Sequence, residues 1–362
     1  MNIDPPEYIK KIKPYKAGKP IEELEREYGI KNAVKLASNE NPLGPSPKAM
    51  EAVKNFCTSL HRYPDSSGYE LINKISLKFN LPVKSIVLGN GSDDIIALLC
   101  KAFVNEKKNV IMPDPGFLMY EISTRSEGGT PVKVPLKNLC LDLDKMAELC
   151  NFDTSIIFIT NPNNPTGSFI EKEKLEEFLK KIPSNVIVAS DEAYMEFSES
   201  CYCSWELMEK YENLVSMRTF SKAYGLAGLR IGYGVMNPFI SEILNRIRQP
   251  FNTSLIAQKA ALSALDDESF LEKTRTLIFK ERKKLFEELE KLGVTPFKSD
   301  ANFILADVKR QADDVYEKLL RKGIIARSMS SYGYPQFLRI TIGLENENDL
   351  FIKYLKEVLD KD

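Results

Sequence analysis

Residues 219–230 read Thr-Phe-Ser-Lys-Ala-Tyr-Gly-Leu-Ala-Gly-Leu-Arg and place Lys222 among Phe220, Ala223, Leu226, Ala227 and Leu229. Burial disfavours an ammonium, so a lysine in apolar company gives up its proton easily. The neutral amine can then attack a carbonyl and hold it as an imine. Arg230, eight residues on, offers a planar, permanently charged fork for a phosphate. The segment reads as a site for an aldehyde that carries a phosphate.

Two further polar groups share its spacing. Asp191 lies 30 residues after Asn161, and Lys222 lies 31 after Asp191. Each follows a short apolar, β-branched run, and the interval is about one βαβ unit of roughly 30 residues. Ligands of open α/β sheets bind beyond the carboxyl ends of the strands. The spacing therefore gathers an amide, a carboxylate and an amine at one sheet edge. Pyridoxal 5'-phosphate uses all three: Lys222 for its aldehyde, Asp191 for its pyridine nitrogen, and Asn161 with Tyr194 for its ring hydroxyl oxygen.

The phosphate needs a cradle of its own. Residues 89–94, Gly-Asn-Gly-Ser-Asp-Asp, follow the apolar Ile86-Val87-Leu88 and precede a helical pattern over 95–103. Gly91, Ser92 and Asp93 stand where backbone N–H groups and the helix dipole favour an anion, with Ser92 or Asp93 as the expected cap. Thr219, Ser221 and Arg230 would add donors, and Phe117 could stack on the cofactor ring. Singly, each has a plainer reading: 161–167 is a turn, 191–194 a helix start, Phe117 core. Their order and spacing favour the site.

The elements that must position these groups are legible from pattern. Strands are expected at 109–112, 155–160, 185–189, 214–217 and 231–235, separated by amphipathic stretches such as 171–182. Strands alternating with helices imply a parallel α/β sheet. The last hundred residues differ, with helices at 268–292, 314–322 and 345–359 and strands at 303–308 and 337–342. We expect a large domain over 45–265, and a smaller α+β domain built from 1–44 and 266–362.

Bulk properties narrow the function. A net charge of −1 gives no footprint for nucleic acid or an anionic membrane. No apolar run approaches the ~20 residues of a membrane span, and the first residues lack a signal-peptide pattern. Six scattered cysteines fit reduced thiols, hence a cytoplasmic setting. One histidine, His61, argues against a Cys/His metal site and against histidine-based triads.

The same residues carry a family likeness. Residues 160–167, 190–194 and 221–230 resemble motifs of the fold-type-I pyridoxal-phosphate aminotransferases. The nearer resemblance is to the histidinol-phosphate aminotransferases. It rests on 13–20 (Lys-Pro-Tyr-Lys-Ala-Gly-Lys-Pro), 36–42 (Leu-Ala-Ser-Asn-Glu-Asn-Pro), 62–65 (Arg-Tyr-Pro-Asp), 301–303, 327–329 and 338–343. It implies a mostly parallel seven-stranded sheet beside the smaller α+β domain, and a homodimer with active sites at the subunit interface. Tyr63 would reach the cofactor phosphate of the other subunit. Arg339, with Arg327 and Tyr15, would grip the substrate's anionic group. The implied reaction is transamination between histidinol phosphate and 2-oxoglutarate. The alternatives are an aromatic amino-acid aminotransferase, a decarboxylase of a phosphorylated amino acid, and a regulatory member without turnover. Phe117 and Asp94 stand where tyrosine and glutamate are frequent, and Leu43 where some members have tyrosine.

Overall fold

The computed structural model describes residues 3–14 and 18–360. A seven-stranded sheet runs in the order Ile86–Gly89, Gly232–Val235, Leu214–Thr219, Ile187–Asp191, Thr154–Thr160, Asn109–Asp114, Thr130–Pro135. Its three central strands are buried along their whole length, as expected when helices cover both faces. Side chains alternate between two cores. Ile156 and Phe158 pack with Ala189, Val215 and Met217 on one face. Ile157 and Ile159 pack with Val188 and Leu214 on the other.

Six of these strands run in one direction, and Gly232–Val235 alone runs antiparallel to both its neighbours. The pattern alone had implied a parallel strand there. A parallel return needs a crossover, usually a helix, of a dozen or more residues. The connection over 220–231 holds only the single turn Ala227–Leu229, so the chain doubles back. It thereby stays at the carboxyl edge, carrying Ser221, Lys222 and Arg230.

A second sheet, entirely antiparallel, runs Arg327–Ser328, Phe337–Thr341, Phe303–Asp307, Thr295–Pro296. Helices Glu268–Lys291, Ala312–Leu320 and Glu345–Leu359 pack against it through Ile278, Leu285, Val315, Phe351 and Leu355. The helix expected at 314–322 begins two residues earlier, with Asp313 and Asp314 in its first turn, where the dipole favours acids. Val34–Lys35 pairs parallel with Ile324–Ile325 and fastens the early chain to this part. The same apolar core takes in Tyr194 and Ala223, so the second sheet abuts the lysine segment directly.

Candidate active site

Beyond the carboxyl ends of the central strands a cleft is lined by Ser92, Asp93, Phe117, Asp191, Tyr194 and, from the doubled-back segment, Thr219, Ser221, Lys222 and Arg230. Gly91 is the residue before the helix Ser92–Phe103. The structure thus brings most of the residues marked by spacing into one place.

Lys222 projects into the cleft, and its Nζ donates to the Ser38 carbonyl at 3.1 Å. Burial, then the nearby Arg339 guanidinium, bring its amine down to about 8. Asp191 forms the floor and is almost wholly buried. Burial pushes its carboxyl up to about 6, against the pull of two donors. These are the Tyr120 hydroxyl at 2.8 Å and the Ala193 N–H at 3.2 Å. A carboxylate only accepts, so the single Tyr120 proton goes to Asp191, and the Thr160 hydroxyl, 2.9 Å away, donates to Tyr120 in turn. Sequence reasoning missed Tyr120. The signal was its position one helical turn after Phe117, which brings both rings to the same side.

One end of the cleft is built for an anion. Neither Ser92 nor Asp93 caps the helix Ser92–Phe103, contrary to expectation; Gly91 is the N-cap and no side-chain cap bond forms. The expected caps lie one and two residues too late, inside the first turn. The leading N–H groups therefore face the cleft without a side-chain acceptor. Gly91 has φ +81°, and a Cβ there would stand 2.7 Å from Arg230 Nη2. The positive φ favours glycine, and any side chain would push the Arg230 guanidinium aside. Arg230 donates to Ala227 O at 3.2 Å and Ser221 Oγ at 3.4 Å, and approaches Asp93 at 3.5 Å.

Asn161 is not part of this lining, which corrects the sequence expectation. Its Nδ2 donates to Ile170 O at 2.9 Å and its Oδ1 accepts from Ile170 N–H at 2.8 Å, closing the loop between them. Its second amide proton goes to the Tyr202 hydroxyl at 3.0 Å, so the amide is committed away from the cleft. Asn164 faces the cleft instead. Its Oδ1 accepts from Arg339 Nη1 at 2.6 Å and its Nδ2 donates to the Tyr194 hydroxyl at 3.3 Å. Spacing could not separate the two, because a three-residue shift within one turn keeps the repeat near one βαβ unit.

Beside Lys222 the cleft continues into a recess lined by Gly18, Ser38, Arg327, Tyr332 and Arg339. Arg327 and Arg339 sit directly opposite each other on adjacent antiparallel strands. Arg339 also donates to the Ala37 carbonyl at 2.7 Å, and its guanidinium lies over the Phe303 ring. Two guanidinium forks beside one amine make a strong anion site. Tyr15 lies outside the described residues. Tyr63 does not line the cleft; it is 83% exposed on the surface, stacked on Phe251.

Comparison with known proteins agrees with this geometry. The chain is 45% identical to a histidinol-phosphate aminotransferase of Desulfotalea psychrophila, covering 99% of this chain and 96% of that protein. It is 42% identical to one from Moorella thermoacetica, covering 98% and 92%. Among solved structures, the histidinol-phosphate aminotransferase of Sinorhizobium meliloti in complex with pyridoxal-5'-phosphate superposes with a TM-score of 0.92 at 26% identity, covering 98% of this chain and 97% of that one. The sequence profile described as aminotransferase class I and II matches residues 31–355. The chain therefore belongs to the class I and II aminotransferase family.

Proposed function

We propose that the chain transfers the amino group of L-histidinol phosphate to 2-oxoglutarate, a step of histidine biosynthesis, using pyridoxal 5'-phosphate. The observation that carries the substrate reading is the pair Arg327 and Arg339 beside Lys222, a grip that suits a phosphate as well as a carboxylate. The high identity to histidinol-phosphate aminotransferases over nearly the whole chain supports it.

The donor set fits the cofactor. The uncapped helix start, Thr219, Ser221 and Arg230 suit its phosphate, and the missing Cβ of Gly91 leaves room for that contact. Asp191 suits the ring nitrogen, Tyr194 and Asn164 the ring oxygen, and Phe117 the ring face. When bound, pyridoxal phosphate supplies the electron sink for the carbanion left at the substrate carbon.

The chain's own groups do the rest. Lys222 is neutral often enough near pH 8 to take the proton from the substrate carbon next to nitrogen. As an ammonium it returns that proton in the same turnover. Asp191, held ionised by Tyr120, keeps a cationic partner at the cleft floor. Arg327 and Arg339 fix the anion, and so the distance between the reacting carbon and Lys222.

We further propose a cytoplasmic homodimer. Among the described residues no helix is long and apolar enough to cross a membrane. Leu60, Tyr63 and Phe251 expose an aromatic and apolar surface suited to a second copy, from which Tyr63 would reach the partner's site. The division into 45–265 and the remainder is proposed on the two sheets having cores of their own, which meet at Tyr194 and Ala223.

The test is the visible spectrum of the purified holoenzyme. Histidinol phosphate should convert the bound cofactor to its aminated form, and 2-oxoglutarate should restore it. Release of carbon dioxide, or a higher kcat/KM for phenylalanine, would refute this reading. Sedimentation should give a dimer, and mixed dimers of Tyr63→Ala and Lys222→Ala chains should regain one working site.

A further inference from the structure

The hydroxyl of Tyr194 sits in a network whose polarity can be read without ambiguity. Arg339 has only donors, so its Nη1, 2.6 Å from Asn164 Oδ1, fixes that amide with its NH₂ toward Tyr194. The backbone N–H of Asn39 donates to Thr341 Oγ1 at 2.9 Å, which leaves the threonine proton for Asn39 Oδ1 at 3.1 Å. That fixes the second amide as well, and Asn39 Nδ2 donates to the Tyr194 hydroxyl at 3.0 Å. Among the described residues the phenol oxygen thus receives two N–H donors and meets no acceptor. Its own proton has one direction left, into the cleft.

We propose that Asn39 is a positioning residue that, together with Thr341, sets the Tyr194 hydroxyl as a donor aimed at the bound cofactor. Asn39 is suited to this. It is 1% exposed, its backbone carbonyl accepts from Asn302 Nδ2 at 3.0 Å, and its φ of +55° is one that asparagine tolerates. Thr341 and Arg339 are two residues apart on the strand Phe337–Thr341 and so share a face. Both arms of the network therefore start from the strand that carries the anion grip. The relay ties orientation of the cofactor's ring oxygen to the element that binds substrate.

The inference rests on the proposed cofactor, and the test separates the two. The holoenzyme is titrated by its visible absorbance, in parallel with the affinity of the cofactor-free protein for pyridoxal phosphate. Losing a hydrogen bond to the ring oxygen concentrates negative charge there, favours the protonated form, and raises the midpoint. Asn39→Asp replaces the donor by an acceptor, tolerates the same φ, and draws the Tyr194 proton away. It should raise the midpoint by about one pH unit, the effect of one hydrogen bond to a charged group.

The charges around Tyr194 are Arg339, Asp191, Asp93 and Lys222. A new carboxylate could act on them directly, so two controls are included. Thr341→Val adds no charge and releases the Asn39 amide; it should raise the midpoint and weaken cofactor affinity several-fold. In a Tyr194→Phe background, Asn39→Asp should shift the midpoint little. An unchanged midpoint in Thr341→Val, or an undiminished shift in the Tyr194→Phe background, overturns the proposal. A wild-type protein with no visible band on adding pyridoxal phosphate would instead overturn the cofactor reading beneath it.

Discussion

The Tyr120 hydroxyl donates across 2.8 Å to the Asp191 carboxylate, from a ring stacked on Phe158 with centroids 4.5 Å apart. That stack leaves the hydroxyl one orientation. Removing it takes a donor from a buried carboxyl already raised by burial, and raises it further. More of Asp191 is then protonated at neutral pH and lost as partner for a cationic ring. Tyr120→Phe should weaken pyridoxal phosphate binding at pH 7.5 by about tenfold, a size typical of one hydrogen bond to a charged group. Titration of the cofactor-free protein gives the constant, and an unchanged value refutes the role.

Asp191 also has a cost in stability when the cofactor is absent. The folded protein holds the carboxyl proton at about 6, against an ordinary 3.8. Stability from this group is complete below the lower value and lost as pH rises through the higher one. Cofactor-free Asp191→Asn should therefore be more stable than wild type at pH 7.5, by at most about 3 kcal/mol. The gap should close between pH 6 and pH 4. Urea unfolding at several pH values measures it, and a gap that is constant with pH contradicts the account.

Lys222 sets the pH dependence of cofactor capture. Its amine is brought down to about 8, so the neutral, nucleophilic fraction grows through that pH and not through the ordinary 10.5. Stopped-flow mixing of cofactor-free protein with pyridoxal phosphate should show a capture rate rising with a midpoint near that lowered value. Lys222→Ala should bind the cofactor without forming the covalent band, and lose turnover by about a thousand-fold or more.

Asn161 and Asn164 should separate cleanly. Asn161→Ala takes the acceptor from the Ile170 N–H in a buried loop, while the Ile170 carbonyl keeps the Tyr202 hydroxyl at 3.0 Å. It should lower stability by about 1–3 kcal/mol, visible as a drop in Tm. Asn164→Ala touches the half-buried lining only. It should leave Tm nearly unchanged and reduce kcat/KM by about tenfold to a hundredfold. The opposite pattern would return Asn161 to the site.

The contrast shows what a sequence can and cannot disclose here. Lys222, Asp191 and Arg230 were legible because a crossover repeat fixes where strand ends fall. The helix from residue 92 and the strands around 160, 191 and 219 were legible because buried strands are continuous apolar runs. Asn164 was not, since both asparagines sit in one turn and only the loop's hydrogen bonds decide which faces inward. Tyr120 was hidden because its partner, Asp191, is distant in sequence. The reversed strand Gly232–Val235 was hidden because direction leaves no trace in hydrophobicity; only the short connection betrays it.

Arg339 governs the grip on the anion. Its guanidinium reaches Asn164 and Ala37 at once, a fork that an ammonium cannot copy. Arg339→Lys should raise KM for both anionic substrates by about tenfold to a hundredfold, with a smaller change in kcat. Equal loss in kcat and kcat/KM would place its effect in the reacting step instead.

The reversal of the chain after Thr219 also bears on how the protein reaches this state. Thr219 pairs with Gly232, only 13 residues on, whereas Thr160 pairs with Asp191, 31 residues away. Closing a short loop loses less entropy than closing a long one. Lys222, Ser221 and Arg230 therefore become neighbours through a local hairpin that can form early. Asp191 joins them only after a whole crossover has closed. On refolding, amide protection over Leu214–Thr219 and Gly232–Val235 should precede that of the strand Ile187–Asp191, so that the amine and the phosphate fork meet before the carboxylate arrives.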